Sequence, residues 1–220
     1  CPACYERTAR FVLVHDFVLW QLGAPGFFSD LANASLTGIL DLERRAFSPE
    51  ILEAAGLKAS QLPDLVPSGV EVGRLSARAA AATGLAAGTA LISGGGDQQC
   101  AGLGAGAIVP GVVDITLGTA PVPLCSSASV VRDSGRRVTC CVHAAPERWS
   151  VEGLQAAAGA SLDWIGALLE GTGPVSGPLL EAAARVRPGS SGVLFYPHLA
   201  GASAPHWDPA ATGMFLGLRL

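Results

Sequence analysis

Ile92–Gly106 reads "ISGGGDQQCAGLGAG". Three glycines run directly into an acid and two amides, and the acid, Asp97, stands on backbone that carries no side chains just before it. The short apolar run "TALI" in front of the glycines predicts a strand, and the small residues after Asp97 predict a helix. Three readings of this strand–glycine–acid–helix unit compete. A dinucleotide fingerprint needs G-x-G-x-x-A at the head of a full helix. Gly102-x-Gly104-x-x-Ala107 has the spacing, but Pro110-Gly111 stops any helix within two turns, and no acid follows at the ribose distance. No G-K-[ST] exists for a Walker A loop. A second reading makes Asp97 the N-cap of the helix, a role aspartate fills well. The third makes it a general base: a carboxylate at a strand end, approachable from several sides, accepts a proton from a substrate hydroxyl while that oxygen attacks phosphorus. Gln98 could then bond a polyol. Gly118-Thr119 could offer N–H groups and a hydroxyl to phosphate oxygens. Composition alone leaves the cap and the base open.

The rest of the chain narrows the class. Half of its 220 residues are hydrophobic and 15% are charged, which predicts a folded core rather than disorder. The formal charge of -4, with no Lys/Arg cluster, argues against nucleic acid and anionic membranes as partners. No run of about 20 apolar residues predicts a membrane span. Six cysteines lack the spacing of a four-ligand zinc site; Cys1-x-x-Cys4 stands alone, and reduced thiols in a cytoplasmic protein are expected, with no metal cluster among the histidines. Cys1 at the start and an uncapped "GMFLGLRL" at the end read as a piece of a longer protein.

Helical spacing covers residues 6–22, with Gly23 as the stop, and Trp20 is expected in the core. "SDLANASLTGILDL" is turn-rich, with Asp30 and Asn33 organising a turn. "FSPEILEAAGL" predicts a helix with Ser48 as N-cap, Pro49 first and Gly56 as C-cap. "ARAAAATGLAAG" predicts another. The charge run at 43–45 is expected to be solvated. "VVDITLGTA" predicts a strand and turn, "RRVTCCVHAAPERWSVEG" paired strands, "LQAAAGASLDWIGALLE" a helix, and "GVLFYPHLAG" a buried strand. A composition shift near Pro110 places a domain boundary there, giving 1–108 and 109–220.

These segments resemble the FGGY carbohydrate kinases. "HDFVLWQL" and "SDLANASLTGILDLERRAFSPEILEAAGLKASQLPDLVPSGVEVGRL" resemble the later part of that family's first domain. "GGGDQQCAGLGAGAIVPG" is similar to the segment carrying its catalytic aspartate, and "ITLGTAP" to its second phosphate loop. "HAAPERWSVEGLQAAAGASLDWI" and "YPHLAGASAPHWDPAATGMFLGL" resemble stretches of its second domain, the latter ending in the opening of the family's C-terminal signature. The order matches along nearly the whole chain.

The resemblance implies an α/β fold of two actin-like (ribonuclease-H-like) domains with ATP and substrate between them and hinge closure on binding, here incomplete at both ends. Residues 1–108 would be the later part of the substrate domain and 109–220 the earlier part of the nucleotide domain. Asp97 would be the general base, Gln98 a substrate ligand as in the glycerol-kinase branch, Gly118 and Thr119 a phosphate loop, and Gly159 and Asp163 nucleotide contacts. ATP and Mg²⁺ are the implied cofactors, and a small sugar or polyol the partner; a homodimer is allowed.

The family's Asp-x-Gly-Thr loop, with an acid that helps hold magnesium, and its later adenine-binding glycine motif are absent. On that ground this stretch alone is expected to be inactive. "HAAPERW" is closer to xylulokinases and Gly201-Ala-Ser-Ala-Pro205 to glycerol kinases, so a ketopentose such as xylulose is the first expectation and glycerol the second. A non-catalytic actin-like binder is the rival from another class.

Overall fold

A computed structural model of the chain describes residues 2–171 and 175–219. The chain divides into two compact units. The first takes the chain through Val112 together with Ser126–Val131 and Cys140–Ser150; the second takes Val113–Cys125, Arg132–Thr139 and the chain from Val151 on.

The first unit opens with helices α1 (Pro2–Arg7) and α2 (Val14–Leu22). The expected continuous helix over 6–22 is broken. Phe11 N–H donates to the Gln61 carbonyl, and Arg10 donates to the carbonyls of Ser60 and Leu62, so the chain between the helices is tied to another turn. Helix α2 then restarts where Leu13 N–H donates to the Asp16 carboxylate at 2.8 Å. Gly23 ends it at φ 133°, conformational space that a side chain resists. Trp20, expected in the core, is 41% exposed, with its ring against those of Phe17 and Phe27.

Strand β1 (Phe28–Asp30) runs into helix α3 (Leu31–Ser35), whose N-cap is Asp30, accepting from Asn33 N–H at 3.0 Å. The turn-rich reading of this segment thus resolves into a short capped helix. Strands β2 (Leu40–Asp41) and β3 (Ala46–Phe47) form a hairpin. Helix α4 (Pro49–Ala55) has Ser48 as its N-cap, Pro49 at its head and left-handed Gly56 after it, as the sequence predicts. Strand β4 (Asp64–Val66) pairs parallel with β1, and β5 (Glu71–Arg74) antiparallel with β6 (Ala90–Ile92). Between them lies α5 (Ala77–Thr83), capped by Ser76 and ended by Gly84. Helix α6 (Asp97–Gly104) follows β6 across the glycines. Ala24, Val72, Leu75, Ala79 and Leu91 form one buried cluster; Ala34, Leu40 and Val142 form another, against which Trp149 packs.

In the second unit, β7 (Val113–Leu117) and β8 (Pro121–Ser127) make an antiparallel hairpin around Gly118-Thr119-Ala120. Strands β9 (Thr139–Val142) and β10 (Trp149–Glu152) each carry residues of both units, and the strand order is β7-β8-β10-β9. Leu124 on β8 is fully buried. Helix α7 (Gly159–Glu170) begins later than its apolar periodicity suggests. The N–H groups of Gly153 and Gln155 donate to the Pro123 and Pro121 carbonyls, which keeps that segment on the edge of β8. Helix α8 (Gly177–Ala184) starts at the Ser176 cap. Strand β11 (Leu194–Tyr196) pairs with β12 (Met214–Leu216), and Leu194 and Tyr196 are 52% and 41% exposed, so this strand is not the buried one expected.

Candidate active site

The glycines before Asp97 are not equivalent. A Cβ on Gly94 would meet nothing within 4 Å. On Gly95 it would sit 3.0 Å from Cys100 Sγ and 3.1 Å from Ala144 Cβ, and on Gly96 it would fall on the Gln99 side chain, which is 1% exposed. A side chain at Gly95 would be tightly crowded, and one at Gly96 would have to displace the buried Gln99 side chain. Gly96 is the N-cap and carries no side chain to close the helix, and Asp97 is the first residue inside it. The capping role weighed for Asp97 thus shifts by one position. Its Oδ1 accepts from the next N–H, that of Gln98, at 2.8 Å, and the residue is exposed. An anion at this end of a helix is stabilised by the unpaired N–H groups and the axial dipole. Gln98 beside it is half-buried. The Cys100 thiol is pushed up, first by burial and then by the negative charges of Asp30 and Asp97.

In the second unit the sequence-predicted nucleotide residues gather on the β7–β8 loop and the start of α7. Gly159 N–H donates to the Gly118 carbonyl at 3.0 Å and Ala158 N–H to that of Thr119 at 2.8 Å. A Cβ on Gly159 would lie 2.7 Å from that Gly118 oxygen, so only glycine permits the loop to seat on the helix. Gly118 and Thr119 are exposed, and Asp163, one turn along α7, is exposed as well. The structure thus brings Gly118, Thr119 and Gly159 into contact, while Asp97 and Gln98 belong to the other unit.

Among the described residues no group of three or more His, Cys, Asp and Glu is arranged to hold a metal ion. Five described cysteines are free thiols, and Cys1 lies outside the described residues. No helix among the described residues is long and apolar enough to cross a membrane.

Sequence reasoning missed Arg45. Expected to be solvated, it tucks its side chain to 21% exposure, places its guanidinium 4.6 Å from the centroid of the Trp149 ring, and pairs through Nη1 with Glu147 at 2.7 Å. Its only local signal was its place between two short strands. The partners lie about a hundred positions away, so no spacing rule reaches them.

Comparison with known proteins decides the family. The model of the FGGY carbohydrate kinase N-terminal domain matches residues 1–104, and that of the C-terminal domain matches 114–220. The chain belongs to the FGGY family of carbohydrate kinases. It is 30% identical to the xylulose kinase of Bacillus subtilis (strain 168) over 217 residues, covering 99% of the chain and 43% of that relative. The glycerol kinase of Trichlorobacter lovleyi is 32% identical over 226 residues, with 99% and 44% covered. A crystal structure of a xylulose kinase from Brucella ovis superposes with a TM-score of 0.85 at 28% identity, over 98% of the chain and 44% of that protein. This FGGY chain thus has the α/β, actin-like (ribonuclease-H-like) fold expected, and it spans less than half the length of the relatives it matches.

Proposed function

We propose that the protein containing this chain phosphorylates a hydroxyl of a sugar or polyol at the expense of ATP. Asp97 carries the reading. It is an exposed carboxylate at a helix N-terminus, on a glycine turn whose packing crowds a side chain at Gly95 or Gly96, in a chain of the FGGY family. In this reading Asp97 accepts the proton of the acceptor hydroxyl as that oxygen forms its bond to the transferred phosphorus and the bond to the ADP oxygen breaks. The released proton passes from Asp97 to solvent. Gln98 offers both a donor and an acceptor to neighbouring hydroxyls. Gly118 and Thr119 hold phosphate oxygens through loop N–H groups and the exposed hydroxyl, and Gly159 keeps that loop seated. Asp163 lies one turn further, where it would meet the nucleoside. Mg²⁺ would arrive on the nucleotide's phosphates, its usual mode of binding, and no step here runs through it.

We assign residues 1–108 to substrate and 109–220 to nucleotide, and a ketopentose such as xylulose as the acceptor. The xylulose kinases among the relatives support that choice. Glycerol is the second reading, favoured by Gln98 after the acid and by the glycerol kinase relative. The free thiols fit a reducing, cytoplasmic setting. ADP release measured on the full protein with xylulose, glycerol and gluconate tests the assignment. The reading expects xylulose to give the highest kcat/KM, and a preference for glycerol or gluconate would refute the ketopentose.

A further inference from the structure

A cavity of about 150 Å³ in the first unit is lined by Arg45, Ser68, His143 and Glu147, with Leu31, Pro67 and Ala144 among its apolar walls. On a measure where one water needs ~10–15 Å³, this is room for a small molecule rather than a single solvent. Three of the lining side chains carry buried polar atoms without a hydrogen-bond partner: Arg45 Nη2, Ser68 Oγ and His143 Nε2. Buried polar groups left this way are uncommon and costly, and three on one cavity ask for an occupant. Their chemistry has one sign. His143 Nδ1 accepts from Ala145 N–H at 2.9 Å, so in the neutral ring the proton sits on Nε2. His143 is 3% exposed, and burial lowers its pKa, which keeps the ring neutral. Arg45 Nη2 and His143 Nε2 are thus both donors, and the Ser68 hydroxyl can donate as well.

Charge narrows the ligand. Arg45 is already paired through Nη1 with Glu147, whose side chain is 84% exposed, so the walls sum to no net charge. That balance suits one negative charge shared over two oxygens better than a dianion. Arg45 and Glu147 both stand at positive φ, 51° and 52°, a conformation that non-glycine residues adopt at a cost of order 1–3 kcal/mol and that clusters at binding sites. The cavity also backs onto the turn before Asp97, because a Cβ on Gly95 would meet both Ser68 and Ala144.

We propose that this cavity binds the carboxylate of a small monoanionic molecule, held by Arg45 Nη2, His143 Nε2 and Ser68 Oγ. Acetate is the probe, titrated into the full protein while the His143 ring nitrogens are followed by ¹⁵N NMR. Inorganic phosphate and acetamide serve as the dianionic and uncharged comparisons. Saturable acetate binding that shifts His143 Nε2 is expected, with affinity at least tenfold above that for phosphate or acetamide. Ser68→Ala and Arg45→Lys should each weaken acetate at least tenfold. No saturable shift, an affinity that survives in Ser68→Ala or in folded Arg45→Lys, or phosphate or acetamide binding as tightly as acetate overturns the proposal. The readout is binding, so it stands or falls separately from the kinase reaction.

Discussion

A carboxylate at the first residue of a helix has a protective neighbourhood that few surface acids share. Asp97 sits at the head of α6, and its Oδ1 accepts from the adjacent Gln98 N–H. The exposed position leaves the carboxylate reachable, as the proposed proton acceptor must be. Its field also reaches Cys100, whose thiol is raised chiefly by burial and secondarily by Asp30 and Asp97. Neutralising Asp97 removes one of those charges. Asp97→Asn should therefore speed alkylation of Cys100 by iodoacetamide about twofold near neutral pH, because the thiolate is the reacting form. An unchanged rate would place the two groups farther apart than described. The acid itself was legible from the glycine run. The identity of the cap was not, because choosing Gly96 over Asp97 depends on backbone torsions that composition does not encode.

Elements written in local chemistry were the readable ones. Helix α4 announces itself by Ser48, Pro49 and Gly56, and all three occupy the positions their residue types prefer. Ser48→Ala should destabilise the chain by ~1 kcal/mol in urea unfolding, the typical worth of a side-chain cap. A loss near zero would mean that solvent replaces the Ser48–Ile51 bond. Elements set by distant partners were misread. The break between α1 and α2 comes from bonds to residues some fifty positions away, and the late start of α7 from bonds to the β8 edge. The contact between α7 and the β7–β8 loop gives a second test. Gly159→Ala drives a Cβ against the Gly118 carbonyl, a backbone atom that cannot step aside alone. We expect a stability cost of ~1–3 kcal/mol, typical of overpacking. ATP affinity, measured by calorimetry on the full protein, should fall at least tenfold. Retained affinity would separate the loop from the nucleotide.

The whole molecule adds terms that no single element carries. Burial lowers the pKa of His143 below its ordinary 6.5. Below that pH the unfolded chain takes up a proton that the folded one refuses, so stability must decline as pH falls from about 7 through this window. Asp16, fully buried in α2, has the opposite displacement: burial raises it above 3.8, so the stability of its protonated form is lost as pH rises past that value. Urea midpoints of the wild type and His143→Gln between pH 5 and 7.5 separate the two, since only the wild type should lose the histidine contribution on acidification. Parallel profiles would remove His143 from the account.

The proposed phosphoryl transfer is likewise tested at the scale of the whole protein. The most direct measurement is sugar-dependent ADP release by the full protein and by its Asp97→Asn variant, with ATP binding measured alongside. Turnover should fall by ~10²–10⁴-fold in the variant, the usual worth of a general base, with ATP affinity essentially unchanged. Turnover in the variant within a few-fold of the wild type would contradict the assignment of Asp97 as the base.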